Sequence, residues 1–234
     1  LTIWEWAFED ARYSPLFKYP PNEVGSFINA ATEEQMSFFQ VKDNSTYLCT
    51  ALLKRHGLRP GDTVSLFSHN TISYPVAMFA ILKAGIIQNQ TSYIYPCVLY
   101  SAGRVSYWEY MKLNHMLGGR VNGASPAYSV DEMASALRTA DSKYIMTVPN
   151  SIEVALAAAI KAGIPKDRIF LLEGESEDYA TMQQLLEIGK SYGKDSQSPF
   201  FRVPDGSTND ICGFLNFSSG TTGLPKAVCF PRNV

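Results

Sequence analysis

Neither sign of charge dominates this chain. Its 20 Lys and Arg residues stand against 22 Asp and Glu, a net charge of −2, which leaves no electrostatic footprint for nucleic acid or an anionic membrane surface. No apolar run reaches the ~20 residues that a helix needs to cross a bilayer. Cysteine is scarce: Cys49, Cys97, Cys212 and Cys229 form no CxxC pair, and no His stands at zinc-ligand spacing from them. They read as buried or incidental thiols in a reducing compartment. The three histidines, His56, His69 and His115, have no sequence neighbours that suggest a triad or a metal centre. No catalytic residue and no metal ligand is assigned. Position 1 is Leu rather than Met, so the lack of a signal peptide carries no weight. Sequons at Asn44, Asn89 and Asn216 are set aside as chance triplets.

What the chain does have is material for a core. It is 46% hydrophobic and 18% charged over 234 residues, enough for one large domain or two small ones. Residues 1–32 are rich in aromatics and broken by Pro20-Pro21; they read as an irregular lead-in. From Glu33 to Arg55 the apolar spacing predicts helical segments, capped near Gly57. Arg59-Pro60-Gly61-Asp62 is a turn, and Thr63 to Ser68 has strand character. Ile72, Val76, Phe79, Ala80 and Lys83 then ride a helix that stops at Gly85.

The alternation continues. Val121 to Ala124 reads as a strand. Ser129-Val130-Asp131-Glu132 is a capping box, and Val130, Met133, Ala134, Leu137 and Ala140 follow at helical spacing. Lys143 to Val148 is a strand, and Asn150 opens an almost wholly apolar helix through Ile160 that should be buried. Arg168 to Leu172 is a strand, Thr181 to Tyr192 a helix, Pro199 to Asn209 a polar linker, and Ile211 to Phe217 the last clear strand. Strand and helix in this order predict an α/β fold, a mostly parallel sheet with helices on both faces.

The most informative residues are Ser218-Ser219-Gly220-Thr221-Thr222-Gly223-Leu224-Pro225-Lys226. Glycine lets backbone N–H groups approach a ligand with no Cβ in the way. The hydroxyls add donors and Lys226 adds a compact positive charge, a combination suited to a triphosphate tail. A Walker A loop is excluded, because Ala227 stands where that pattern needs Ser or Thr and both flanks read as strands.

In order and composition, the nine residues resemble the [ST]-[ST]-G-T-T-G-x-P-K signature of the adenylate-forming superfamily, which includes acyl-CoA synthetases, 4-coumarate–CoA ligases, luciferases and peptide-synthetase adenylation domains. Residues 57–70, Lys83-Ala84-Gly85 and residues 121–149 resemble the opening strand and helix units of the same enzymes, and the "NGASPAY" phrasing at 122–128 is similar to the 4-coumarate–CoA ligase branch. The resemblance implies that 33–234 is a partial N-terminal AMP-binding domain. It further implies ATP-dependent activation of a small-molecule carboxylic acid to an acyl-adenylate and then a CoA thioester, with ATP, magnesium and coenzyme A taking part. By matching positions, the binding loop starts at Ser218; Ser219, Thr221 and Thr222 supply hydroxyls at the β- and γ-phosphates, Gly220 and Gly223 backbone amides, and Lys226 charge. The family's magnesium-binding Glu, ribose-binding Asp and C-terminal catalytic Lys have no counterpart here, so this piece by itself is expected to lack turnover. Alternatives are an amino-acid adenylation domain of a peptide synthetase, or a degenerate, non-catalytic gene product. The resemblance is compatible with cytoplasmic or peroxisomal location.

Two departures stand out. Phe230-Pro231-Arg232-Asn233 occupies the place of the family's Thr/Ser-His-x-Asn segment, with only Asn233 matching. Residues 86–118 interrupt the pattern: without them "FAILKAG" runs into "GRVNGASPAY", and the stretch carries five Tyr, one Trp and a single acidic residue, Glu109. The interruption reads as a retained intron translated in frame, with Gly85 supplying the donor-site GT; the rival reading is a lineage-specific hairpin or lid.

Overall fold

The computed structural model describes residues 2–30, 32–85, 87–90, 98–101, 128–202, 212–218 and 226–231. Its first element, α1 (Ile3–Phe8), begins on a capping box: Glu5 N donates to Thr2 Oγ1 at 3.2 Å, and Thr2 N donates to the Glu5 carboxylate at 2.8 Å. Helix α2 (Pro15–Lys18) starts on a Ser14 cap with Pro at its first position. Strands β1 (Ser26–Asn29) and β2 (Gln35–Ser37) pair antiparallel. Helix α3 (Phe38–Thr50) opens on a Ser37–Gln40 box and runs into a π turn, Ala51–Arg55, beyond which Gly57 takes φ +71°.

There follow β3 (Thr63–Phe67) and α4 (Tyr74–Ala84), which ends on Gly85 at φ +75°, a left-handed position open to glycine at little cost. Then come β4 (Ile87–Gln90), β5 (Val98–Ser101), α5 (Val130–Thr139), β6 (Ser142–Thr147) and α6 (Ile152–Ala162). The last elements are β7 (Ile169–Leu171), β8 (Ala180–Thr181), α7 (Met182–Ser191), β9 (Cys212–Ser218) and β10 (Lys226–Pro231). The capping box expected at Ser129 forms, with Glu132 N donating to Ser129 Oγ at 3.4 Å and Ser129 N donating back to its carboxylate at 2.9 Å.

The main sheet has seven strands in the order β10-β9-β4-β3-β6-β7-β8. Every pairing is parallel except that of β9 with β10. Alternation along the strands divides the core. Val64, Leu66, Tyr144 and Met146 meet α3, α4 and α7 on one face. Phe67, Ile145 and Ile169 meet α5 and α6 on the other. The expected α/β architecture with helices on both faces is therefore the observed one.

Three local expectations differ. The lead-in is not irregular: Ile3, Trp4, Ala7 and Phe8 are buried with Phe38, Val41, Phe79 and Leu82, because α1 turns one apolar face onto α3 and α4. Ile160 is 71% exposed, while Ala155, Ala158 and Ala159 on the same helix are buried; the small residues form the contact face and Ile160 falls outside it. Within the expected interruption, β4 takes a central place between β3 and β9, and β5 pairs antiparallel with β1. The strand expected at Val121 to Ala124 lies outside the described residues.

Candidate functional site

The hydroxyl- and glycine-rich loop joins two antiparallel strands. Ser218 at the end of β9 stands opposite Lys226 at the start of β10, and the ladder continues through Phe217↔Ala227, Asn216↔Val228 and Leu215↔Cys229. The loop is thus a hairpin connection clamped at its neck by two of the predicted site residues. No helix follows it, so it is not a Walker A loop in structure either. Ser219, Gly220, Thr221, Thr222 and Gly223 lie outside the described residues.

Direction places the hairpin. Strand β9 runs parallel to β4, and β4 parallel to β3, so Ser218 emerges at the same carboxyl edge of the sheet as Ser68, just past β3. The two strand ends are two inter-strand spacings apart, ~9.5 Å. Open parallel sheets bind their ligands at this edge. Phe217, next to Ser218, is 2% exposed and packs against Ala136 and Ala140 of the α5 region, with Leu215 beside it. That contact presses β9 onto the sheet one residue before the loop begins.

The rest of the edge is polar and built by side chains on backbone. Thr147 Oγ1 donates to the Phe67 carbonyl at 2.7 Å, and Ser68 Oγ donates to the His69 carbonyl at 2.5 Å. His69 Nε2 lies 3.7 Å from Glu173 Oε1, both side chains substantially exposed, in keeping with an ordinary surface role. Thr71 is buried, and its hydroxyl has no hydrogen-bond partner among the described residues. Sequence reasoning passed over it; its place just past a strand end was the available signal. His56 is on the opposite, amino side of the sheet, and His115 lies outside the described residues.

Burial pushes the Cys49 thiol up to about 12, with nearby Lys83 opposing it, so it is an inert core thiol. Among the described residues no three His, Cys, Asp or Glu side chains come together as a metal site, so none is assigned to magnesium. No helix among them is long and apolar enough to cross a membrane. What the described geometry offers is the neck of a hairpin, Ser218 opposite Lys226, at the carboxyl edge of a parallel sheet.

The chain is 29% identical over 232 residues to an acyl-CoA ligase (azaF) of Aspergillus niger, an alignment covering 97% of this chain and 35% of the relative. It is 36% identical over 216 residues to a long-chain-fatty-acid–CoA ligase of Escherichia coli O157:H7, covering 89% of this chain and 34% of the relative. The chain therefore spans about a third of the length of these curated relatives. Among solved structures, the luciferase-like enzyme of the mealworm Zophobas morio superposes with a TM-score of 0.68 at 19% identity, over 99% of this chain and 43% of that one, a likeness of fold. The profile of the family described as AMP-binding enzyme matches residues 19–107 and 114–232, which takes in the loop with both of its strands, and the chain belongs to that family.

Proposed function

We propose that the protein to which this chain belongs is an AMP-forming acid–CoA ligase, and that residues 218–226 are its triphosphate-binding loop. In the first half-reaction a carboxylate oxygen of the acid bonds to the α-phosphorus of ATP. The bond from that phosphorus to the bridging oxygen breaks, and pyrophosphate leaves. In the second, the coenzyme A thiolate bonds to the acyl carbon, the acyl–phosphate C–O bond breaks, and AMP leaves. The loop's part is electrostatic. Hydroxyls of Ser219, Thr221 and Thr222, amides of Gly220 and Gly223, and the Lys226 ammonium hold the β- and γ-phosphates while charge builds on the departing pyrophosphate. Magnesium accompanies the triphosphate and neutralises part of its charge.

The observation that carries this reading is the nine-residue signature seated on a hairpin at the carboxyl edge of a parallel sheet, in a chain whose relatives are named acyl-CoA ligases. The complete gene product should exchange labelled pyrophosphate into ATP when given the right member of a carboxylic acid panel, and should then form a thioester on addition of coenzyme A. Failure of exchange with a panel of aromatic, short-chain and long-chain acids would overturn the reading.

A further inference from the structure

Between α7 and β9 the chain is tied down by a set of specific bonds. Gln197 Nε2 donates to the carbonyls of Gly189 at 3.0 Å and Gly193 at 2.9 Å, while its Oε1 accepts from Thr50 Oγ1 at 2.7 Å. The same Thr50 oxygen accepts from Ser198 N at 2.9 Å. Lys54 Nζ donates to the Ser196 carbonyl at 2.6 Å. Phe201 N then donates to the Lys83 carbonyl at 2.7 Å. The Phe201 ring lies directly on Gly85, where an added Cβ would sit 2.6 Å from Phe201 Cγ.

Gly85 lies just before β4, and its carbonyl accepts from Gly61 N at 2.9 Å. Phe201 is therefore held at the amino edge of the sheet, beside the start of the strand on which β9 pairs. That pairing is short: Gln88↔Phe214, Asn89↔Leu215 and Gln90↔Asn216. Among the described residues β10 pairs with β9 alone. The loop-bearing hairpin is thus joined to the sheet by a brief ladder, and what delivers the chain to that ladder matters.

We propose that Gln197–Phe201 is a strap that positions the β9–β10 hairpin, with Phe201 as its positioning residue. The inference rests on the phosphate-loop reading for its functional meaning, and on the contacts above for its mechanics. Pinning the connection 192–211 at Gln197–Phe201 roughly halves the free tether, which favours docking of the hairpin by about threefold. The ring packed on Gly85 adds apolar burial to this.

The test is amide hydrogen exchange on the complete gene product without nucleotide, paired with ATP titration. Phe201→Ala should raise opening of the β9 and β10 amides by at least about tenfold relative to wild type, with α5 and α6 amides unchanged. Thr50→Val, which unpins the strap from its other side, should act in the same direction, and Phe201→Leu should recover most of the protection. Should Phe201→Ala not fold, the Thr50 and Leu variants carry the test. Unchanged β9–β10 protection in these variants, or an equal loss across α5, α6 and the hairpin, overturns the strap. Wild-type protein that binds no ATP would overturn the phosphate-loop reading while leaving the nucleotide-free exchange comparison intact.

Discussion

The phenol of Tyr144 donates to the carbonyl oxygen of His56 at 2.6 Å. This bond closes the end of the π turn after α3 against β6, and it gathers three rings. His56 and Phe170 meet edge to face at 4.7 Å, and Tyr144 stacks on Phe170 at 5.4 Å. His56 Nε2 is buried there with no hydrogen-bond partner among the described residues. Burial, and then the charge of Arg55, hold the imidazole below its ordinary 6.5, with Asp167 pulling weakly the other way.

The sign of the linkage follows from that. The unfolded chain protonates His56 more readily than the folded one, so its contribution to stability is whole above 6.5 and is lost as pH falls through that value toward the lower folded one. Thermal melts between about pH 8 and pH 5.5 should show a declining midpoint over the acidic half of that range. His56→Phe, which keeps a ring among Tyr144 and Phe170 and removes the titration, should flatten it. An unaltered slope in that variant would show that other groups govern the decline.

At Gly189, α7 comes close against α3, since a Cβ there would fall on the Tyr47 carbonyl oxygen. Backbone cannot yield as a flexible side chain can. Gly189→Ala should therefore cost about 1–3 kcal/mol, despite the better helix propensity of alanine. For a domain of this size that is a loss of roughly 2–4 °C per kcal/mol, readable in a melt followed by circular dichroism.

The aromatic cluster of the first residues is integral to the core. Phe8 is wholly buried and meets Trp4, Phe38 and Phe79 at ring-centroid distances of 4.6, 4.9 and 4.7 Å. Phe8→Ala should destabilise by about 3–5 kcal/mol, seen as a shifted denaturant midpoint. A change below ~1 kcal/mol would mean that α1 is a detachable lead-in after all.

Thr71 offers a contrast. Its hydroxyl is buried without a partner among the described residues, so Thr71→Val removes an unsatisfied group while keeping the shape. Stability of the ligand-free protein should hold or rise by up to about 1 kcal/mol. A loss beyond that would reveal a hydrogen bond made by Thr71 in solution.

On the phosphate-loop reading proposed above, Lys226→Ala removes the one charge that residues 218–226 would bring to a triphosphate. A charge-assisted bond of about 1.5–3 kcal/mol corresponds to a rise of roughly 10- to 100-fold in the KM for ATP in pyrophosphate exchange. Lys226→Arg should restore part of it. A KM unchanged in the alanine variant would remove Lys226 from the phosphate site.

Much of this protein could be read from local order along the chain. The box Ser129–Glu132, the stops at Gly57 and Gly85, and the hydroxyl-glycine run from Ser218 all act within a few residues of themselves, through caps, turns and backbone approach; the Ser37–Gln40 box is as local but was not read. The box at Thr2–Glu5 was equally local and was missed only because the prolines and aromatics after it suggested disorder of pattern. Which strands lie side by side is another matter. That β9 pairs with β4, that Ser218 and Ser68 come to one edge, that Phe201 lands on Gly85, and that Ile160 faces outward all depend on contacts between residues far apart in sequence. Those contacts are decided jointly, by burying both faces of one sheet at once, and no window along the chain contains the competing alternatives. The sequence by itself determined most of the helices, several of the strands and the residue types of the loop; only tertiary packing decided where the two strands that carry it would stand.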